Sequence, residues 1–548
     1  MKHHHLYAYA LLAAMTAGCA TASKTPKQPV TDAAKLEEVS EKYAETITAD
    51  DLSKHLHIIA SDSMEGRDTG SKGQKMAAEY ISNHFKQEGL AGPVKTGTNP
   101  YYQTFDLEKT QWGGGYILVG NKKFLMMQDF FVLGGSPYQQ EQAADVVFAG
   151  YGIDDPKFND YAGKDVTGKM VVVLAGEPKD ANGNYIISST DKASDWGNDY
   201  RSKRKAATDH GAKSVLIITG TNPGEFNSLT QRYKAYATRP SIGMKSTGAQ
   251  ANAATMFISP VAGAALLGTT TDQLFDYPTM VAKAGKPTPD KFAVARDVKV
   301  KTERLAEPLS TENVLGFIEG TDKKDEVVVV TAHYDHVGMD PSLEGDKIFN
   351  GANDDGSGTV SVLEIAQAFA KAKKDGYGPR RSMLFMTVTG EEKGLLGSEY
   401  YSENPIFPLE NTVADVNIDM VGRMDYDHEK TNDSNYIYLI GDDKLSSELH
   451  EIDQRMNEKY THLKLDYTYN DENDPNRFYY RSDHYNFAKH GIPIVFFFNG
   501  VHEDYHKPSD EVEKINFQSA QTVARLAFHT AWELANRDNR IVVDSNKK

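Results

Sequence analysis

DEVVVVTAHYDH, residues 325–336, is the stretch on which the fold turns. Four consecutive valines, Val327 to Val330, form a continuous apolar, β-branched run. Such a run marks a strand buried on both faces, as in a parallel sheet covered by helices. The run ends abruptly in chemistry: His333, Asp335 and His336 crowd its carboxyl end. RSMLFMTVTG (381–390), TVADVNIDM (412–420) and GIPIVFFFNG (491–500) have the same texture, and helical stretches at 356–374 and 516–537 separate them. Strand, loop and helix in repetition predict a three-layer α/β/α domain with a mostly parallel, mixed central sheet.

In open α/β sheets, ligands gather beyond the carboxyl ends of the strands. Those ends carry His333 and Asp335, then Asp354 and Asp355 before a helix, Glu391 and Glu392 after a glycine turn, Asp419, and finally His502 and His506 in VHEDYHKPSD. Taken singly each is ordinary. A glutamate pair opening a helix complements its dipole by about 1 kcal/mol at most, and Asp-Asp-Gly is commonly a turn. Together they bring many carboxylates and imidazoles to one edge with almost no basic residue among them. That many acids are costly to bury together unless cations compensate. Nitrogen and oxygen donors without thiolate suit Zn²⁺, with Co²⁺ or Mn²⁺ as substitutes. Five ligands exceed one tetrahedral ion with an open position and suit a two-ion hydrolytic site sharing a carboxylate. This gives the adjacent glutamates separate tasks, because consecutive residues in a turn point apart: Glu392 can face metal while Glu391 takes the proton of the attacking water.

The remaining chain sets the context. Its 548 residues carry a formal net charge of −17 and no long basic run, which argues against nucleic acid as a partner. Residues 1–19 combine Lys2, an apolar stretch from Leu6 to Met15 and small residues before Cys19, the single cysteine. This is a secretion signal too short to span a bilayer. Ending in Ala-Gly-Cys, it resembles a bacterial lipoprotein signal, which implies a lipid on Cys19 and a place in the bacterial cell envelope; a plainly secreted enzyme is the alternative. Residues 20–45 are polar and suit a tether. Residues 136–300 have short strands such as GKMVVVLAGEP and read as a separate β-rich module. The catalytic domain is then 46–135 with 301–540, followed by a tail at 541–548. The acidic NDENDP loop (470–475) reads as solvated, and His336, His484 and His502 as hydrogen-bonded pocket or surface residues.

AHYDH (332–336), NGANDDGSG (350–358), TGEEKGLLGS (389–398), NIDMVGR (417–423) and YHKPSD (505–510), in this order, resemble the di-zinc aminopeptidase family of co-catalytic metallopeptidases. ASDSMEGRDTGSKGQKMAAEYI (60–81) is similar to its N-terminal signature, and residues 149–178 resemble a protease-associated (PA) domain. The resemblance implies His333 and Asp419 on one zinc, Glu392 and His506 on the other, Asp354 bridging them and Glu391 as general base. It also implies Asp335 as orienter of the His333 imidazole, a cis peptide at Asp354–Asp355, and a tyrosine that steadies the oxyanion, best matched by Tyr479 with Tyr480 beside it. The implied function is a zinc exopeptidase, two zinc ions per chain, removing residues from the amino end of peptides. A carboxypeptidase or dipeptidase, a glutaminyl cyclase and a metal-free receptor-like protein are rival readings on the same fold.

Overall fold

A computed structural model describes residues 33–545 except 137, 221, 246–252 and 289–290. Cys19 and the signal lie outside the described residues, and among these no helix is long and apolar enough to cross a membrane.

The larger of two main sheets has 11 strands. Its principal members are β1 (Tyr102–Val119), β2 (Ser241–Met244), β3 (Val298–Ile318), β4 (Lys323–His333), β5 (Arg381–Val388), β6 (Thr412–Ile418), β7 (Tyr436–Ile440), β8 (Lys464–Asp466) and β9 (Ile494–Phe498). They lie in the order β2-β1-β3-β5-β4-β6-β9-β7-β8. The central strands β5, β4, β6 and β9 run parallel, while β1 and β3 on one side and β7 on the other join antiparallel. The sheet is thus parallel in the middle, where continuous apolar runs predicted it, and again at the short β7–β8 edge pair. Val328, Val330 and Ala332 of β4 pack into one core and Val327 and Val329 into the opposite one, so the valine run is buried on both faces by simple alternation. Helices α1 (Ala33–Ala44), α2 (Ala49–Ile59), α3 (Lys72–Gln87), α4 (Gly358–Lys374) and α5 (Phe517–Asn536) contribute to the first core. The helices at Leu396–Glu403 and His484–Ala488 contribute to the second.

The helix α1 corrects the tether, expected to extend to residue 45. Val39, Tyr43 and Ala44 are buried against α5, Tyr43 stacks on Trp532 with ring centroids 6.3 Å apart, and its hydroxyl donates to Asp375 at 2.9 Å. The polar sequence concealed this because only one narrow stripe of the helix is apolar.

The module between β1 and β3 is also not β-rich. Its five-stranded sheet runs Phe130–Gly134, Ala254–Ile258, Ser214–Ile218, Met170–Leu174 and Val146–Phe148 across, parallel except at the first pairing. Helix Tyr200–Asp209 covers one face, and helices Pro260–Leu266 and Tyr277–Ala284 cover the other. The 130–134 strand puts the boundary before residue 136. β2, although inside 136–300, pairs with β1 and extends the large sheet. The insert hangs on a long antiparallel ribbon of β1 and β3, whose register shifts between Trp112 and Gly115.

Candidate metal centre

β4, β5, β6 and β9 are parallel neighbours, so their carboxyl ends open on one edge. His333 is the last residue of β4, and Asp419 follows β6. After β5 the chain reverses at Gly390 (φ +74°) into a single turn, Glu391–Lys393, that presents both glutamates. Asp354 comes from the 352–357 loop that leads into α4, and His506, with a left-handed backbone (φ 55°), from the loop after β9. Gly358 lets α4 approach closely: a Cβ there would stand 2.1 Å from the Ile418 carbonyl oxygen.

Two clusters result, one of His333, Glu391 and Asp419, the other of His336, Asp354, Glu392 and His506. Asp354 joins them. Its Oδ1 is 3.3 Å from His333 Nε2 and its Oδ2 is 3.0 Å from His506 Nε2. Asp419 Oδ1 lies 3.6 Å from His333 Nε2, and Glu392 Oε2 3.1 Å from His506 Nε2. The five expected ligand residues and Glu391 are therefore all brought together. The Asp354–Asp355 peptide is cis.

The cluster demands positive charge. Burial opposes a charged His506, yet Asp354 and Glu392 outweigh it and raise its pKa to about 10. His333 is likewise held well above its ordinary value, against burial, by Glu391, Asp419 and Asp354. Glu392 is drawn down to about 2 by His336 and His506, although burial and Asp354 push it up. Asp354 Oδ2, Glu392 Oε1, Asp419 Oδ1 and His506 Nε2 are buried without a hydrogen-bond partner. Orphaned donor atoms of this kind, nitrogen and oxygen only, fit zinc in both clusters.

The surrounding polar groups fix these side chains. Asp355 Oδ1 accepts from the Gly358 and Met420 amides at 2.8 and 3.1 Å, and its Oδ2 from the His333 amide at 3.2 Å. Ser482 Oγ donates to Asp419 Oδ2 at 2.7 Å, and Asp510 Oδ2 accepts from the Asn353 and Asp354 amides. Asp335 meets the His333 imidazole chiefly through its main chain, its carboxylate Oδ1 lying 3.9 Å from Nδ1. The His333 imidazole Nδ1 meets its backbone carbonyl at 3.0 Å, while its carboxylate accepts from Thr69 Oγ1 at 2.6 Å and the Glu391 amide at 3.3 Å. Asp335 therefore steadies the turn bearing Glu391 and orients the imidazole through its main chain. Extended backbone placed the two side chains on the same side, but the chain leaves the strand at His333.

Tyr479 does not line this pocket. It borders a separate cavity with Tyr469, Tyr480 and Tyr485. The tyrosine beside His333, Asp354, Glu391 and Asp419 is Tyr505, whose ring stacks on His506 at 3.9 Å. Its adjacency to His506 in YHKPSD was the available signal. His336, read from the sequence as a hydrogen-bonded pocket or surface residue, is a buried member of the second cluster with Nδ1 2.8 Å from Glu392 Oε1, and sequence reasoning passed over Arg67. Arg67 is fully buried and donates to the carbonyls of Ile59, Tyr334, Asn350 and Gly351, tying the N-terminal helices to both ligand-bearing loops. Burial lowers its pKa to about 10, which leaves it a fixed cation beneath Asp335, Asp354 and Asp355. His484 and His502 are buried and spend a nitrogen each on local bonds, to the Tyr479 carbonyl and the Asp504 amide. Asp471 and Asp474 in the acidic loop accept from their own turn amides.

Residues 313–531 match the model of peptidase family M28. This stretch is similar to M28 peptidases. It holds every ligand residue named above and Glu391, whereas Arg67 and Thr69 come from outside it. Aminopeptidase YwaD of Bacillus subtilis is 28% identical over 239 residues, 42% of this chain and 46% of that protein. A probable leucine aminopeptidase of Trichophyton verrucosum is 29% identical over 242 residues, 43% of this chain and 61% of that protein. The chain spans less than two thirds of the length of these curated relatives. The solved aminopeptidase from Aneurinibacillus sp. strain AM-1 covers 92% of this chain and 98% of its own at 20% identity, with a TM-score of 0.48.

Proposed function

We propose that the chain is a zinc-dependent exopeptidase that removes residues from the amino end of peptides. The observation that carries this is the pair of carboxylate–histidine clusters joined by Asp354, with Glu391 on the pocket side. His333 and Asp419 would hold one ion, Glu392 and His506 the other, and Asp354 both. Zinc held there supplies Lewis acidity, polarising the scissile carbonyl and making water more acidic. Glu391 does the proton work: burial first, then repulsion from Glu392 and Asp419, raises its proton affinity well above that of an ordinary glutamate, so it takes a proton from water and returns it to the leaving amine. Tyr505 stays protonated, since burial and then Asp354 and Glu392 raise its pKa, and its hydroxyl can donate to the developing oxyanion.

The same pocket supports the polarity. Its acids receive an ammonium, and Met420, Phe478, Phe496, Phe498 and Val501 offer the first side chain an apolar wall. Arg481 at its rim is the feature that would favour a carboxypeptidase instead. The test is one decapeptide in three forms: free, N-acetylated and C-amidated. Acetylation is expected to abolish cleavage and amidation to leave it nearly intact; the reverse makes the enzyme a carboxypeptidase. From sequence alone, the insert is a PA-type module and Cys19 carries the lipid that holds the enzyme at the bacterial envelope. Mass spectrometry of the mature N-terminus checks the anchor, and an unmodified terminus downstream of Cys19 would leave a secreted enzyme.

A further inference from the structure

A cleft of about 570 Å³ is bounded by Glu392 and His506 on one side and by the insert on the other. Its volume is that of a small-ligand pocket, enough for a short peptide and too small for a folded chain. The β1–β3 ribbon lines part of it. At the irregularity in that ribbon, Trp112 and Arg304 are direct cross-strand partners. The guanidinium stands 5.7 Å from the indole centroid and donates from Nη2 to Thr110 Oγ1 at 2.8 Å. Ser241 of β2 pairs with Thr110, which brings Arg239, two residues earlier, to the same cleft. Ile242 and Met244 of β2 pack against the cluster of Phe105, Leu107 and Leu396, the last just beyond the Glu391–Lys393 turn, so this wall is fastened beside the site.

The charges are arranged unevenly. Glu392 is the one carboxylate among the described lining residues, against Arg239, Arg304 and Lys393. Lys393 is engaged by Asp68 at 2.7 Å. Among the described residues, neither Arg239 nor Arg304 has a carboxylate within ion-pair distance, in a chain whose formal net charge is −17. Carboxylates at one end and unpaired guanidinium groups in the adjoining cleft match a zwitterionic short peptide lying amino end first.

We infer that Arg304, with Arg239, receives the free carboxylate of the leaving peptide, making the enzyme selective for short peptides with an unblocked carboxyl end. This rests on the aminopeptidase reading above. The experiment compares peptides of two to six residues, free and amidated, with an amino-acid anilide, on wild type, Arg304→Lys, and the Arg239→Gln/Arg304→Gln double variant. At the best-fitting length, wild type should favour the free over the amidated peptide about tenfold in kcat/KM, through KM. The double variant should lose that preference while its anilide hydrolysis stays unchanged, and Arg304→Lys should keep part of it, a point charge without the fork. Equal rates for free and amidated peptides at every length, or a loss falling equally on the anilide, would overturn the proposal. Should no substrate be cleaved, the aminopeptidase reading fails on its own, and Trp112 emission still reads the cleft. In Glu391→Gln protein, a saturable change with the free tripeptide but not the amidated one, absent in Trp112→Phe, supports the carboxylate site; no such difference refutes it.

Discussion

Exchanging one oxygen for an amide separates the tasks of the two adjacent glutamates. Glu391→Gln should keep both metals, by elemental analysis, and lower turnover about 10²–10⁴-fold, the usual share of a general base. Glu392→Gln should lose metal instead, since Glu392 sits 3.1 Å from His506 and 2.8 Å from His336. Near-wild-type turnover in Glu391→Gln would remove it from the base role. Tyr505→Phe should cost about 10²–10³-fold in kcat with little change in KM, as loss of an oxyanion donor does. Tyr479→Phe should be close to wild type, because that ring borders the other cavity; steady-state kinetics on one anilide decides between them. The ligands were legible because each follows an apolar strand or a loop entering a helix, where chain order alone fixes the edge. Tyr505 had only its adjacency to His506 as a signal, and His336 could be read no further than a pocket or surface residue, because its packing against His506 is a contact across the site that no spacing encodes. Asp335 was legible as a position but not in its geometry: its carbonyl meets the imidazole at 3.0 Å, with its carboxylate Oδ1 3.9 Å from the same nitrogen.

At the level of elements, the α1–α5 contact links the first and last helices of the described residues through a titratable group. Ser40 Oγ on α1 is 2.7 Å from His529 Nδ1 on α5, and the imidazole stacks on Tyr460 at 3.7 Å. Burial first, then Arg525 and Lys459, lower the His529 pKa to about 3. The folded value lies below the unfolded one near 6.5. Below that pH the unfolded chain therefore takes up a proton the folded chain refuses. The stabilisation is complete above about pH 6.5 and is lost as pH falls toward about 3. Buried Asp415 and Asp453, raised by desolvation, act in the opposite sense, so the diagnostic is a difference between proteins. The Tm of wild type should fall more steeply than that of His529→Leu between about pH 7 and pH 4; parallel curves would show the ring does not couple to stability. The sequence hid this contact because α1 is polar over most of its surface, and what makes it part of the fold is Trp532 and Tyr377 waiting some hundreds of residues away.

For the whole molecule, a site of four clustered carboxylates should make metal a folding ligand as well as a catalytic one. Chelation should abolish activity and lower Tm, and Zn²⁺ should restore both, because binding to the folded state alone adds about 4 kcal/mol at a thousandfold excess over Kd. Activity lost with Tm unmoved would mean the carboxylates tolerate one another without cations. The central sheet was readable from its apolar runs, whereas the antiparallel ribbon was not, because β1 and β3 are long, half-exposed strands whose pairing is decided by the insert strung between them. That insertion orders events in time. The insert's sheet uses residues 130–258 only and is complete in the growing polypeptide long before the large sheet, which waits for β9 to slot between β6 and β7. A chain emerging from the ribosome would thus carry one finished body and one open half-sheet. The candidate metal centre, drawn from residues as far apart as His333 and His506, cannot close until His506 has emerged. The proposed peptidase activity would therefore stay silent on the ribosome until that last loop is out.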